Sequence, residues 1–293
     1  MKKMLFVMNP YAGTRKANRH LSEIISVFNR ADYQVEVYMT ACQGDGENAV
    51  TRWAEDKKLV VCCGGDGTFN ETVSGLMKSG CKIPIGYIPA GSTNDFAKAL
   101  GLNKDFVKAA QQIARGRPVE VDLGLFGQRH FTYVASFGAF TRASYATPQN
   151  IKNALGHTAY LLEGISELSQ IRKVPIKMEL DGETVEDNFL FGAICNSTSV
   201  GGILTLDPKQ VDMTDGKFEV LLVRAPRDLT EIAECIQAVQ KQKYNCKMIT
   251  FRSASSVKIT APESMLWTLD GEREMGHSYV EVVNLHHAIQ IMK

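Results

Sequence analysis

Residues 59–71 constrain this chain more than any other stretch. Leu59 to Cys63 is apolar and partly β-branched, which reads as a short buried strand. Gly64, Gly65 and Gly67 surround Asp66 and read as a tight turn, because glycine reaches backbone angles that other residues avoid. Beyond them Phe69, Val73, Leu76 and Met77 repeat at helical spacing. Thr68 and Glu71 form a capping box, so the helix is expected to start there. A strand, a glycine turn and a helix start together aim backbone N–H groups at an anion. Asp66 in such a nest repels phosphate unless a divalent cation or a transferable proton stands between them.

The alternation continues on both sides of this turn. Strands expected at 5–8, 33–39, 59–63 and 83–88 alternate with helices at 15–29, 47–56, from 69 onward, near 95–100 and at 105–115. That order implies an α/β fold with a parallel sheet and helices on both faces. Ligands collect at the carboxyl ends of such strands. Three junctions there carry small polar residues: Asn9-Pro10 to Gly13, the Asp66 loop, and Ala90 to Asp95. After Pro118 the pattern changes to short strands, expected at 119–122, 131–137, 176–180, 189–195, 218–223, 248–251, 256–260 and 279–284. Such spacing reads as an antiparallel, sandwich-like second domain. Helices at 150–171 and 228–241 interrupt it. The first carries Leu155, Ala159, Leu162 and Ile165 on one stripe, expected to pack on the sheet. The expected domains are therefore 1–124 and 125–285, with an apolar tail in 286–293 returning to the first and an active site in the cleft between them.

Composition removes several classes. With 33 basic and 32 acidic residues in 293, the net charge of +1 argues against binding nucleic acid through bulk positive charge. No apolar run approaches the roughly 20 residues of a membrane-spanning helix. The opening residues up to Met8 read as a first strand, since Asn9-Pro10 breaks the run too soon for a signal peptide. Seven cysteines without paired spacing fit reduced thiols in the cytoplasm. Cys62 and Cys63 are adjacent in a strand, so they face opposite ways. His20, His130, His157, His277, His286 and His287 show no ligand spacing, and core or surface roles are expected for all six. Arg15, Lys16, Arg19 and His20 form a basic cluster at a helix start, expected to be solvated surface. Near the carboxyl end Asp270 and Glu272 flank Gly271 in a turn after the strand-like 265–268; locally this is a hairpin turn.

Gly64 to Thr68 resembles the glycine loop shared by soluble bacterial diacylglycerol kinases, sphingosine and ceramide kinases, NAD kinases and 6-phosphofructokinases. Across nearly the whole length the chain resembles the soluble bacterial diacylglycerol kinase-like lipid kinases. The resemblance rests on Asn9-Pro10-Tyr11-Ala12-Gly13, Gly91-Ser92-Thr93-Asn94-Asp95-Phe96-Ala97, Asp122-Leu123-Gly124, Gly201-Gly202 with Val211 to Lys217, and Leu269-Asp270-Gly271-Glu272. It implies a doubly wound first domain like those of NAD kinase and 6-phosphofructokinase, ATP as phosphoryl donor and magnesium as cofactor. By resemblance Asn9, Pro10, Gly13 and Thr40 contact the nucleotide. Gly64, Gly65, Asp66, Gly67, Thr68 and Glu71 cradle its phosphates, with Ser92, Asn94 and Asp95 beside them. Ser92 stands where the family has threonine and keeps the hydroxyl. Asp212, Asp215 and the Lys217 carbonyl resemble a magnesium-binding turn, and oxygen-only ligation suits that hard cation. Here Gln210 replaces an alanine, and the spacing from Pro208 to Asp215 is one residue long. Asp66, Asp95 and Asp122 are expected to carry a second magnesium through water. Asp270, then Glu272, is the expected base for an acceptor hydroxyl. The implied acceptor is a lipid, diacylglycerol first, met by transient peripheral contact with the inner face of the membrane; a homodimer is possible. Rival readings are an NAD kinase-like enzyme, a kinase for ceramide, sphingoid bases or phosphatidylglycerol, and a nucleotide-binding regulator without catalysis.

Overall fold

The computed structural model describes residues 1–138, 173–200, 204–241, 243–244 and 246–293. The expected helix at 150–171 with its apolar stripe, His157 and the Gly201-Gly202 pair lie outside the described residues. The chain divides into two compact units. Unit 1 comprises Met1–Leu123 and His286–Lys293, and unit 2 comprises Gly124–Leu285.

Unit 1 alternates β1 (Lys2–Met8), α1 (Leu21–Arg30), β2 (Tyr33–Met39), α2 (Asp45–Trp53), β3 (Leu59–Gly64), α3 (Asp66–Ser79), β4 (Ile85–Pro89), α4 (Asp95–Ala99) and α5 (Phe106–Arg115). The strands pair in parallel in the order β2-β1-β3-β4. Met4 to Met8 and Leu59 to Cys63 are wholly buried, as required of inner strands covered on both faces. One face is sealed by Ile24 and Phe28 of α1 and by Ala109, Ala110 and Ile113 of α5. On α3, Phe69 stacks on Tyr87 of β4 at 4.4 Å and on Phe96 of α4 at 4.6 Å, which locks three successive elements to one another. The first expected helix begins instead as a 3₁₀ turn, Lys16–His20, because Arg15 takes a left-handed φ of 60° just before it.

Unit 2 receives β5 (Pro118–Phe126) and continues with β6 (Arg129–Phe131), β7 (Val134–Gly138), β8 (Val174–Leu180), β9 (Glu183–Cys195), β10 (Ser199–Val200), β11 (Leu204–Thr205) and β12 (Phe218–Arg224). After α6 (Leu229–Gln240) come β13 (Ile249–Ala254), β14 (Ser256–Thr260), β15 (Trp267–Leu269), β16 (Glu272–Glu274) and β17 (Tyr279–Met292). The sheet is antiparallel in the order β16-β15-β7-β9-β8-β14-β17, with β12 bridging β9 and β13. Its core is aromatic: Trp267 meets Phe126 at 4.9 Å and Phe137 at 5.0 Å.

Two strand boundaries differ from expectation for physical reasons. The run 131–137 breaks after Phe131, because the N–H groups of Thr132, Tyr133 and Val134 turn toward the carboxylate of Asp270. The strand expected at 279–284 and the apolar tail are one element, β17. Its far end rejoins unit 1, where Ile291 pairs in parallel with Ile85 and Lys293 exchanges backbone hydrogen bonds of 2.9 and 3.1 Å with Arg117.

Candidate active site

The turn after β3 is built by closeness rather than by unusual backbone angles. Gly64, Gly65 and Gly67 do not take positive φ, so the backbone freedom expected of them is not what the turn uses. Instead, a Cβ on Gly64 would lie 2.5 Å from Cβ of Thr68, and one on Gly91 would lie 2.6 Å from Cα of Gly65. Two loops thus touch backbone to backbone with no room for a side chain. Gly13 combines both demands: its φ is +51°, and an added Cβ would strike the Ala90 carbonyl oxygen. The three polar junctions accordingly form one neighbourhood in unit 1. Asn9 donates from its backbone to Cys63 at 3.0 Å and from its side chain to Thr68 Oγ1 at 3.2 Å. Ala90 donates to the Gly64 carbonyl at 2.7 Å. Asn94, at φ 54°, folds back on Gly91 with bonds of 2.9 and 2.8 Å. Pro10 offers its carbonyl to Asn18 at 2.9 Å, Thr40 is buried against the Met8 carbonyl, and Ser92 is exposed.

The expected capping box is not formed. α3 starts at Asp66 with Gly65 as its cap, and no side chain caps it. Thr68 lies against side-chain-less Gly64, and Glu71 serves another helix. Its carboxylate accepts from Gly44 and Gly46, at 2.8 and 3.0 Å, at the start of α2. Asp66 behaves in the same way. Buried, it accepts from Asp95 at 3.0 Å and Phe96 at 3.3 Å, the first amides of α4. Both carboxylates therefore sit at the positive end of a neighbouring helix, where negative charge is stabilised. Asp95 in turn meets Lys98 at 3.1 Å.

In unit 2, Asp270 and Gly271 take consecutive left-handed angles, φ 50° and 87°, which suits a two-residue hairpin turn between β15 and β16. The Asp270 carboxylate is buried and accepts hydrogen bonds on both oxygens. Oδ2 accepts from Thr132 N and, at 2.8 Å, Thr132 Oγ1; Oδ1 accepts from Tyr133 N at 3.0 Å and Val134 N at 3.1 Å. Burial pushes its pKa up, and the amide donors pull it part of the way back. Glu272, partly exposed, pairs with Arg129, which also reaches Glu274 at 2.9 Å.

Asp212 and Asp215 flank a second turn of unit 2. Asp212 accepts from Thr214 N at 2.9 Å, Asp215 accepts from Lys217 N at 2.9 Å, and the Lys217 carbonyl accepts from Asn284 at 3.0 Å. Sequence reasoning missed two residues here. Glu219 is buried; burial, with Asp215 nearby, pushes its carboxyl up to about 8. Glu219 Oε2 and Asn284 Oδ1 have no hydrogen-bond partner among the described residues. Among the described residues Asp212, Asp215 and Glu219 are not gathered at direct-ligand spacing, although oxygen donors of this kind, two of them orphaned, are the chemistry that magnesium takes. The available signal was a glutamate inside the apolar run 218–223.

Asp122 does not join Asp66 and Asp95 at direct-ligand spacing. Among the described residues its ligand-spaced companions are His286 and His287, which corrects the expectation that no histidine takes part in such a group. All seven cysteines are unbridged. Burial pushes both Cys62 and Cys63 up, the latter to about 12, so neither is a nucleophile. Among the described residues no helix is long and apolar enough to cross a membrane.

Residues 3–126 match the Diacylglycerol kinase catalytic domain, and residues 133–292 match the YegS C-terminal NAD kinase beta sandwich-like domain. The chain is 31% identical over 294 residues to a diacylglycerol kinase of Bacillus subtilis (strain 168), covering 100% of this chain and 96% of that one. It is 30% identical over 273 residues to a diacylglycerol kinase of Staphylococcus carnosus (strain TM300), covering 92% and 89%. The crystal structure of a diacylglycerol kinase from Bacillus anthracis str. Sterne shares the fold, with a TM-score of 0.77 at 22% identity over 99% of this chain and 96% of that one.

Proposed function

The chain belongs to the diacylglycerol kinase family of lipid kinases, ATP-dependent phosphotransferases, and from that premise we propose that its acceptor is diacylglycerol and its product phosphatidic acid. The observation that carries the chemistry is Asp270: a buried carboxylate with a raised pKa, held in a turn by three amides and one hydroxyl. Among the donors named for it, the Thr132 hydroxyl is one that can rotate away. When it does, a lone pair of Oδ2 becomes available to accept the proton of the lipid alcohol. A raised pKa makes the carboxylate a better base for an alcohol that loses its proton late. The joined loops of unit 1 supply amides for the nucleotide phosphates. Their glycines keep a backbone surface bare, as close approach to phosphate requires. Magnesium, held at Asp212, Asp215 and the Lys217 carbonyl with Glu219 and Asn284 nearby, would neutralise charge in unit 2. A second ion would be held by Asp66, Asp95 and Asp122 through water, since the three do not stand at direct-ligand spacing. Contact with the membrane is peripheral and salt-sensitive.

Radiolabelled ATP tests this reading on pure lipids in mixed micelles, with and without magnesium and with NAD⁺ as an alternative acceptor. The expected product is labelled phosphatidic acid, dependent on magnesium. Label on NAD⁺, on ceramide or on phosphatidylglycerol moves the acceptor assignment, and ATP binding without turnover on any acceptor removes the catalytic reading.

A further inference from the structure

A group of side chains that shares only Asp122 with the proposed phosphoryl-transfer machinery has the character of a transition-metal site. Asp122 lies on β5 shortly before the chain leaves unit 1, and His286 and His287 are the first residues to return to it. One ligand atom from each lies within 4.8 Å of the other two. Neighbouring residues on a strand normally face opposite sides. Here His287 takes φ 52°, the alternation fails, and the two imidazoles stack with centroids 3.7 Å apart. His286 Nδ1 is 3.0 Å from Asp122 Oδ1, and His287 Nδ1 is 3.1 Å from Glu120 Oε2. Asp122 is fully buried, and its Oδ1 also receives the backbone N–H of His287 at 2.8 Å, which fixes its orientation.

Two imidazoles and two carboxylates are borderline ligands that favour zinc, cobalt or nickel over magnesium, which prefers oxygen alone. Around a zinc ion with bonds of about 2.0–2.2 Å, tetrahedral ligands sit roughly 3.3–3.6 Å apart. The three ligand atoms lie within 4.8 Å of one another, and both rings are partly exposed while the Asp122 carboxylate is buried. We propose that Asp122, His286 and His287, with Glu120 as fourth ligand, bind one divalent ion of the zinc class in unit 1. The ion ties β5 to the returning end of β17. It also occupies Asp122, so zinc inhibits the magnesium-dependent reaction.

The test uses the full chain after chelation, titrated with cobalt(II) and followed by its visible ligand-field bands. The expected result is one cobalt per chain, displaced by zinc, with saturating zinc raising the melting temperature by about 5 °C or more. The double variant His286→Ala/His287→Ala is expected to lose the bands, the zinc-induced rise and the zinc inhibition. Its metal-free melting temperature should stay within about 2 °C of the parent, and its magnesium-dependent turnover within about twofold. Bands that persist in the double variant, or an absence of stoichiometric binding to the parent, overturn the proposal. Failure of lipid kinase activity leaves these spectroscopic readouts intact, so the two readings fail separately.

Discussion

Asp66 and Asp270 are both buried aspartates that gather backbone N–H groups, yet their corners are built in opposite ways. Asp66 starts a helix and reaches to the first amides of a different one, α4, so it clasps two loops that already touch at Gly65 and Gly91. Asp270 sits in a hairpin turn and collects three successive amides from a break between β6 and β7. The first arrangement joins loops at the ends of strands β3 and β4 and makes no bond within the sheet's own ladder. The second is wired into the sheet itself, so on the proposed function chemistry and stability are coupled at Asp270 and largely separate in unit 1.

The largest expected effect is that of Asp270→Ala. It leaves three amides unanswered and should cost about 3 kcal/mol of stability, together with about a 10³-fold loss of phosphoryl transfer. A variant inactive yet melting with the parent would break the claim that the two are coupled. Asp66→Asn keeps one acceptor oxygen, so about a 10²-fold loss of turnover is expected with about 1 kcal/mol of destabilisation. Equal melting losses in the two variants would erase the contrast. Gly91→Ala pushes the loops apart at the contact with Gly65. Its effect, about tenfold, should appear mainly as a higher KM for ATP in steady-state assays.

Glu231 supplies a carboxylate remote in role from both corners. Its bonds to Arg224 hold its pKa at about 2, against an ordinary 4.5. A depressed carboxylate stabilises the fold above the unfolded pKa and loses that contribution as pH falls through the folded one. Glu231→Gln should therefore melt a few degrees below the parent at pH 7, with the deficit closing as pH approaches 2 and kinase turnover unchanged. An effect on turnover would show that stability alone depresses catalysis, which would weaken the reading of Asp270.

The architecture was legible because it is written locally. Apolar runs such as Leu59 to Cys63 and helical repeats such as Phe69, Val73 and Leu76 each report their own covering, and the order of elements reports the sheet. The partners of polar side chains were not legible, because they lie far away in sequence. Glu71, read as a cap for its own helix, holds α2 instead. The break at Thr132-Tyr133 is caused by a residue near the other end of the chain. His286 and His287 were given core or surface roles, because their grouping with Asp122 depends on a left-handed angle that adjacent positions in a sequence do not reveal. The three junctions of unit 1 were placed together from strand order alone, and the glycine contacts supply the reason they fit, which is crowding.

β17 gives the molecule an order of assembly. The strand that lies beside β4 emerges from the ribosome only after all of unit 2 has been made, so the amino-terminal sheet waits with an open edge throughout synthesis. Nascent chains halted before His286 should accordingly be bound by holdase chaperones and cut by proteases after α5, where Gly116 packs against Lys293, while released chains that include Lys293 resist both.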